Sequence, residues 1–427
     1  MISRPLSPDF HSRNRLGLMN AIGADAVAII DTSDVLERSG DYEYPFHPDP
    51  NFYYLTGVAE PEAVLVLVPG HSSADFREIL FTSGTSDLVG VWEGQRLTPE
   101  EASKLSGIKQ VYPLSDLSSI LRRILMKYQV VFLNGDQSLG GHMSSPSARR
   151  ARQLQQALPL HTLRSALPQL ATQRQVKDEA EIVLIREAID LSQRGLKRAW
   201  HHLSPGVLEY ELEAELTSEF IRHGATNAFL PIVAGGPNAT IMHYIKNDRA
   251  VAGGELVLFD VGAEAGFYAA DISRTVPVSG VYSARPKEVF DAVRRVQTSA
   301  IALHKPGISL LDIDVHMQRE LTDELASLGL ISAKEARSKE SQVHLRKYYA
   351  HMSHHLGLDL HDVGEPRAVL EPGMVVTCEP GLYLKSEGIG VRLEDDILIT
   401  KGGHEVLSAQ IPSSPEAIEE EIKAPVK

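Results

Sequence analysis

A chain of 427 residues with 43% hydrophobic and 23% charged side chains has enough apolar material for more than one core, so two or three domains are expected. Its net charge of −14 and pI of about 5.7 argue against nucleic acid or an anionic membrane surface as a partner. The single cysteine, Cys378, excludes an internal disulfide framework and fits a reducing compartment.

The N-terminal stretch MISRPLSPDFHSRNRLGLMN lacks the apolar centre of a secretory signal. Its Ser and Arg content is like that of a transit peptide, but Asp9 interrupts it and the pattern runs on into an amphipathic stretch, so a cytoplasmic location is expected. No apolar run approaches the ~20 residues that span a bilayer. AVAIID, NFYYLTGV, EAVLVLVPG and VVFLNG read as short buried strands, and Leu114 to Lys127 has helical spacing. The polar, Pro-punctuated LPLHTLRSALPQLATQRQVKD marks the expected junction, which makes residues 1–172 an N-terminal α/β domain. From Lys177, the spacing of Ile182, Ile185, Ile189 and Leu196 predicts a long amphipathic helix capped by Asp178. A second helix is predicted over Glu209 to His223. Strand-rich segments follow, interrupted by helices near 286–304 and 311–328. The second domain is expected over 173–414, ahead of a short acidic tail, 415–427, that is frayed or a surface helix.

Acids stand inside those apolar strands. ELVLFDVG and FYAADISRTV flank Glu264-Ala265-Gly266, and a tight hairpin there is expected to set Asp260 opposite Asp271. Directly opposed carboxylates, with Cβ atoms about 4.5–5.5 Å apart, repel unless one is protonated or a cation lies between them. VVTCEPGLYL and IGVRLEDDILIT flank Lys385-Ser386-Glu387-Gly388, and a turn there brings Glu379 near Glu394, with Pro380 breaking the ladder. Taken singly, these residues have ordinary readings: an Asp closing a strand, Glu394 paired with Arg392, His354 of HMSHH packed or on the surface. Together with a neutral His354, the four carboxylates carry a charge that two divalent ions balance and one does not. Hard oxygen ligands with one nitrogen favour Mn²⁺, with cobalt, iron or zinc as alternatives.

The stretches PNATIMHY, LVLFDVGAEAGFYAADISRT, SHHLGLDLHDVG, LEPGMVVTCEPGLYL and GIGVRLEDDILIT resemble, in order and spacing, the Xaa-Pro aminopeptidase (aminopeptidase P) family. RSGDYEYPFHPDPNFYYLTGVAEPEA and VWEGQRLT extend the likeness over nearly the whole chain. The resemblance implies an α/β (α+β) fold: an N-terminal α/β domain followed by a pita-bread metallopeptidase domain. It also implies two metals with a hydroxide between them, and release of an N-terminal residue that precedes proline. Carried over by position, Asp260 is a ligand of one metal, Asp271 and Glu394 bridge both, and His354 and Glu379 bind the other. His243 and His361 match histidines that hold the substrate carbonyl and the tetrahedral intermediate, Arg392 orients Asp260, and Tyr383 lies near the metals. The family's histidine four residues before the liganding one is replaced by Ala350, with His351 one place later, so His351 is expected to take its role.

The chemistry that follows is hydrolysis, with Glu379 shuttling a proton and Phe229, Pro231 and Tyr244 as candidates for an apolar proline pocket. Cys378 reads as a packed core thiol, Gly235-Gly236-Pro237 as a turn, and no serine nucleophile motif is seen. Prolidase activity on Xaa-Pro dipeptides is the rival within enzymes, and a weakly active or inactive pita-bread binding protein the rival outside them. The resemblance implies a homodimer or homotetramer, in which Trp92 could reach a neighbour's cleft or else sit in the core.

Overall fold

The computed structural model describes residues 5–84, 87–92, 94–135, 145–349 and 353–424. They divide into two compact units, one of residues 5–173 and one starting at Arg174. Among the described residues no helix is long and apolar enough to cross a membrane.

The first unit is built on a six-stranded sheet in the order Gln110–Pro113, Glu78–Thr82, Val64–Leu67, Ala26–Asp31, Val130–Leu133, Thr162–Ser165. Only Val64–Leu67 runs against its neighbours. Val27, Ile29, Val66 and Phe81 pack with Leu121 and Leu125 of the helix Leu117–Leu125, whose apolar spacing makes one buried face. One expectation changes here. NFYYLT is not a strand: Pro50–Thr56 is a helix, capped by the Asp49 carboxylate accepting from Phe52 N at 2.9 Å and ended by Gly57 at φ 68°. Its last carbonyls are taken up by the helix Pro8–Ile22, with Asn14 and Arg15 donating to Tyr54 and Leu55 oxygens. The stretch LPLHTLRSALPQLATQR, read as the junction, supplies the edge strand Thr162–Ser165 and the helix Leu167–Arg174, and the two units divide between Gln173 and Arg174.

The second unit repeats one plan. The helices Glu179–His201 and Glu209–Arg222 precede a sheet of Ile232–Gly235, Leu256–Val261 and Ile272–Pro277. The helices Ala284–Ile301 and Leu310–Ser327 precede a sheet of Val375–Cys378, Asp395–Thr400 and Gly403–Val406, with the hairpin Gly381–Leu384 and Ile389–Arg392 beside it. Asp178 caps the first helix through Ala180 N and Glu181 N, as its sequence predicts. The last helix, Pro415–Lys423, is anchored by fully buried Ile418.

The first acid-bearing hairpin turns at Gly266-Phe267, both left-handed with φ 56° and 68°, as a two-residue type I′ turn requires. The expected three-residue turn at Glu264-Ala265-Gly266 is therefore displaced. Asp260 faces Ser273 rather than Asp271. In the second hairpin, Cys378 faces Asp395 and Gly381 faces Arg392, so the same register sets Glu379 against Glu394. Pro380 cannot donate to a ladder, and the pairing divides there into separate sheets.

Candidate metal centre

The corrected register keeps Asp260 and Asp271 on one face, because a shift of two residues along a strand preserves the side on which a side chain stands. They are diagonal neighbours, whose separation of about 7–8 Å leaves more room between them than direct opposition would. Asp260, Asp271, Glu379 and Glu394 are all buried. Glu394 N donates to Ser273 O at 3.1 Å, which ties the second hairpin to the first. Ser273 Oγ lies 2.9 Å from Asp260 Oδ1 and 2.8 Å from Glu394 Oε2, so its hydroxyl can serve either carboxylate.

His354 completes the set. Its Nε2 is 3.5 Å from both Asp271 Oδ2 and Glu379 Oε1. Its Nδ1 is 2.9 Å from the His355 carbonyl, which can only accept, so the ring proton resides on Nδ1 and Nε2 points at the carboxylates. Thr377 Oγ1 accepts from His354 N at 3.1 Å and donates to Glu379 Oε1 at 3.2 Å, fixing both groups at once.

Burial and mutual repulsion govern the protonation of these groups. Burial, together with Asp260 and Glu379, holds the Asp271 carboxyl well above the usual range, and burial with Asp271, Glu379 and Asp260 does the same to Glu394. Burial alone would lower the His354 imidazole, yet Asp271 and Glu379 outweigh it and raise it to about 9. The acids thus favour positive charge in their midst. Among the described residues Asp271, His354 and Glu394 each offer a ligand atom within 4.8 Å of the others, and mostly hard oxygens with one nitrogen suit a divalent ion.

Arg392 is fully buried beside this cluster. Its Nη2 donates to Asp260 Oδ2, its Nε to Ser273 Oγ at 2.7 Å and its Nη1 to Tyr383 OH at 3.0 Å. His361 is exposed, with its ring centroid 4.1 Å from that of His354. The adjacent Asp362 is clamped by Lys177 Nζ at 2.8 Å and Arg174 Nη2 at 2.7 Å, and its N–H donates to His355 O at 2.8 Å.

Other candidates stand further out. His243 is exposed, in the segment after the short helix Gly236–Thr240. Tyr244 is buried with Tyr383, Ile232 and Leu258, and its hydroxyl donates to Glu209 Oε2 at 2.7 Å, so only its ring remains for a substrate. Phe229 is half-buried, and its ring would meet a Cβ placed on Gly262 at 3.0 Å. Ala350 and His351 lie outside the described residues. Trp92 is 80% exposed rather than in the core. Cys378 is buried, and burial raises its thiol well above its ordinary value, as expected of an unreactive core thiol.

Sequence reasoning missed Ser273, Thr377, Glu209 and the pair Arg174–Lys177. Thr377 stands two places from Glu379 on the same strand face, and Ser273 faces Asp260 once the turn is set correctly, so both carried a periodicity signal. The cations that hold Asp362 are more than 180 residues away and carried none.

Comparison with known proteins agrees with this architecture. Residues 183–401 match metallopeptidase family M24, and residues 11–132 match the aminopeptidase P N-terminal domain. The chain is 33% identical to the Xaa-Pro aminopeptidase of Escherichia coli (strain K12), covering 95% of this chain and 96% of that one. It is 31% identical to Xaa-Pro aminopeptidase 3 of Homo sapiens, over 93% of this chain and 81% of the relative. The structure of zinc-substituted E. coli aminopeptidase P in complex with product superposes with a TM-score of 0.89 at 33% identity, covering 98% and 99% of the two chains. With an aminopeptidase P N-terminal domain ahead of a pita-bread catalytic domain, the chain belongs to metallopeptidase family M24.

Proposed function

We propose that the protein is an Xaa-Pro aminopeptidase, a metal-dependent hydrolase that releases the N-terminal residue of peptides with proline in second position. The observation that carries this reading is the meeting of Asp260, Asp271, His354, Glu379 and Glu394 from four chain segments around one buried, cation-seeking point. Asp260 would hold one divalent ion, Asp271 and Glu394 both, and His354 and Glu379 the second. Manganese suits this oxygen-rich set best, with cobalt, iron and zinc as alternatives. When bound, such ions supply Lewis acidity toward the scissile carbonyl and an activated water.

The chain's own residues do the rest. Glu379, oriented by Thr377, takes a proton from the attacking water and returns it to the departing proline nitrogen. His361, against the His354 ring, and His243 donate hydrogen bonds to the carbonyl oxygen as charge develops on it. Arg392 and Ser273 fix the Asp260 carboxylate, beside which the substrate's amino terminus is held. Phe229, Pro231 and the Tyr244 ring offer the proline an apolar surface, with Tyr383 in the same buried cluster as Tyr244. His351 takes the place of the third imidazole absent at Ala350. A cytoplasmic homodimer or homotetramer fits the lone buried thiol and the exposed Val91 and Trp92.

Protein stripped with chelator is expected to lose hydrolysis of Ala-Pro-Ala and to regain it on addition of Mn²⁺. Cleavage of Ala-Pro without Ala-Pro-Ala would make the enzyme a prolidase, and no cleavage of either would sink the peptidase reading.

Proton linkage gives a second check. In metal-free protein the raised His354 contributes stability that is fully present below its ordinary pKa of 6.5 and is lost as pH rises through about 9. An ion bound at Nε2 displaces that proton, so metal affinity should climb with pH across this window. Calorimetric titration at pH 7 in two buffers of different ionisation enthalpy should reveal proton release. Identical heats in both buffers would remove His354 from the ligand set.

A further inference from the structure

One carboxylate, remote from the metal acids in sequence, gathers the segment that carries His243. Glu209, the first residue of the helix Glu209–Arg222, is fully buried, and four neutral donors converge on it. Gly235 N at 2.7 Å and Asn238 Nδ2 at 2.9 Å share Oε1. Tyr244 OH at 2.7 Å and Arg249 N at 2.9 Å share Oε2. These donors bracket residues 236–248. Hydrogen bonds to a carboxylate are stronger than those between neutral groups, so Glu209 is a principal fastener of this segment, alongside Asn247, whose side chain bonds Val233 N, Glu213 and Pro231 O.

Two places to either side of His243, Ile241 and Ile245 are 53% and 54% exposed, whereas its immediate neighbours Met242 and Tyr244 belong to or pack on a buried cluster. What is anchored is Tyr244. It lies in the same buried cluster as Tyr383, whose hydroxyl accepts from Arg392, the residue that grips Asp260. Glu209 is thereby joined to the His243 segment directly, and through this shared cluster to the residues that hold Asp260. A helix N-terminus is a favourable place for a carboxylate, which accounts for an acid at this position but not for four donors drawn from one loop.

We propose that Glu209 is a positioning residue of the peptidase reaction: it fixes residues 236–248 so that His243 reaches the substrate carbonyl. This rests on the peptidase reading and on the role of His243 within it. Glu209→Gln keeps the shape and one acceptor oxygen but sets an N–H against one pair of donors. In metal-loaded protein, kcat and KM for Ala-Pro-Ala would be measured for Glu209→Gln, His243→Ala and the double variant, with metal content as a control. Glu209→Gln should lower kcat/KM about tenfold at unchanged metal content, and the double variant should lie within about twofold of His243→Ala, because residues that act through one another are not additive. Full activity in Glu209→Gln, or losses that multiply in the double variant, would overturn the proposal. Wild-type activity in His243→Ala would remove the role of His243 and the purpose of the clamp with it.

Hydrogen exchange reads the clamp without any assay of activity. Residues 235–249 should exchange faster in Glu209→Gln while Val375–Cys378 does not, and unchanged exchange would overturn the clamp even in an inactive protein. Should Glu209→Gln fail to fold, Asn238→Ala removes a single donor and should show the same changes at reduced size; its exchanging like wild type would count against the proposal.

Discussion

Glu379→Gln should lower kcat on Ala-Pro-Ala by about 10²–10⁴-fold and move KM little, the usual range for loss of a positioned acid–base. The substitution keeps an oxygen where Thr377 Oγ1 now donates at 3.2 Å, and the side chain remains buried in the same volume. In the proposed mechanism it loses the ability to hold a proton between attack on the carbonyl and departure of the proline nitrogen. Proline makes that loss severe, because its nitrogen is a poor leaving group until protonated. Steady-state kinetics with metal content measured on the same sample would separate the two duties of this residue. If kcat stayed within about threefold of wild type at full metal occupancy, another group would have to carry the proton.

Arg274→Met is expected to be the most damaging single change to the stability of the second unit, at about 3–5 kcal/mol. Arg274 is fully buried and pairs with Asp395 at 2.7 Å. It also donates to Glu394 O at 2.6 Å, Ser273 O at 2.9 Å and Pro412 O at 2.8 Å. Methionine fills similar space but leaves the buried Asp395 carboxylate without its guanidinium, with Gln297 and Ser408 as its remaining side-chain donors among the described residues, at 2.9 and 2.6 Å. The cost is that of an uncompensated buried charge. Pairing the change with Asp395→Leu should therefore recover much of it. Urea unfolding followed by tryptophan fluorescence checks both variants, and a midpoint unchanged in Arg274→Met would mean that the guanidinium and its partners do not hold this unit together.

Much of the site was legible in the sequence alone, for a physical reason. Acids inside LVLFDV and TCEPG stand out because a charged group in an apolar strand carries a desolvation cost that only a partner offsets. Helix positions were equally readable where spacing and caps agreed, as at Asp178 and Glu179–His201. NFYYLT misled because its aromatic residues favour strands, whereas the Asp49-Pro50 start and Gly57 stop proved decisive. The first hairpin was set off register because its turn uses Phe267 at φ 68°, a conformation that bulky side chains rarely adopt. Glu209, Arg174 and Lys177 were invisible for another reason: a Glu opening a helix or a Lys preceding one is ordinary, and only the fold reveals the loop each holds.

The grip of Arg392 on Asp260 spans 132 positions of chain. During synthesis the first hairpin leaves the ribosome with its acids assembled and its guanidinium still unmade. A product stopped before residue 392 keeps Asp260 and Asp271 but lacks both Glu394 and the guanidinium that steadies Asp260.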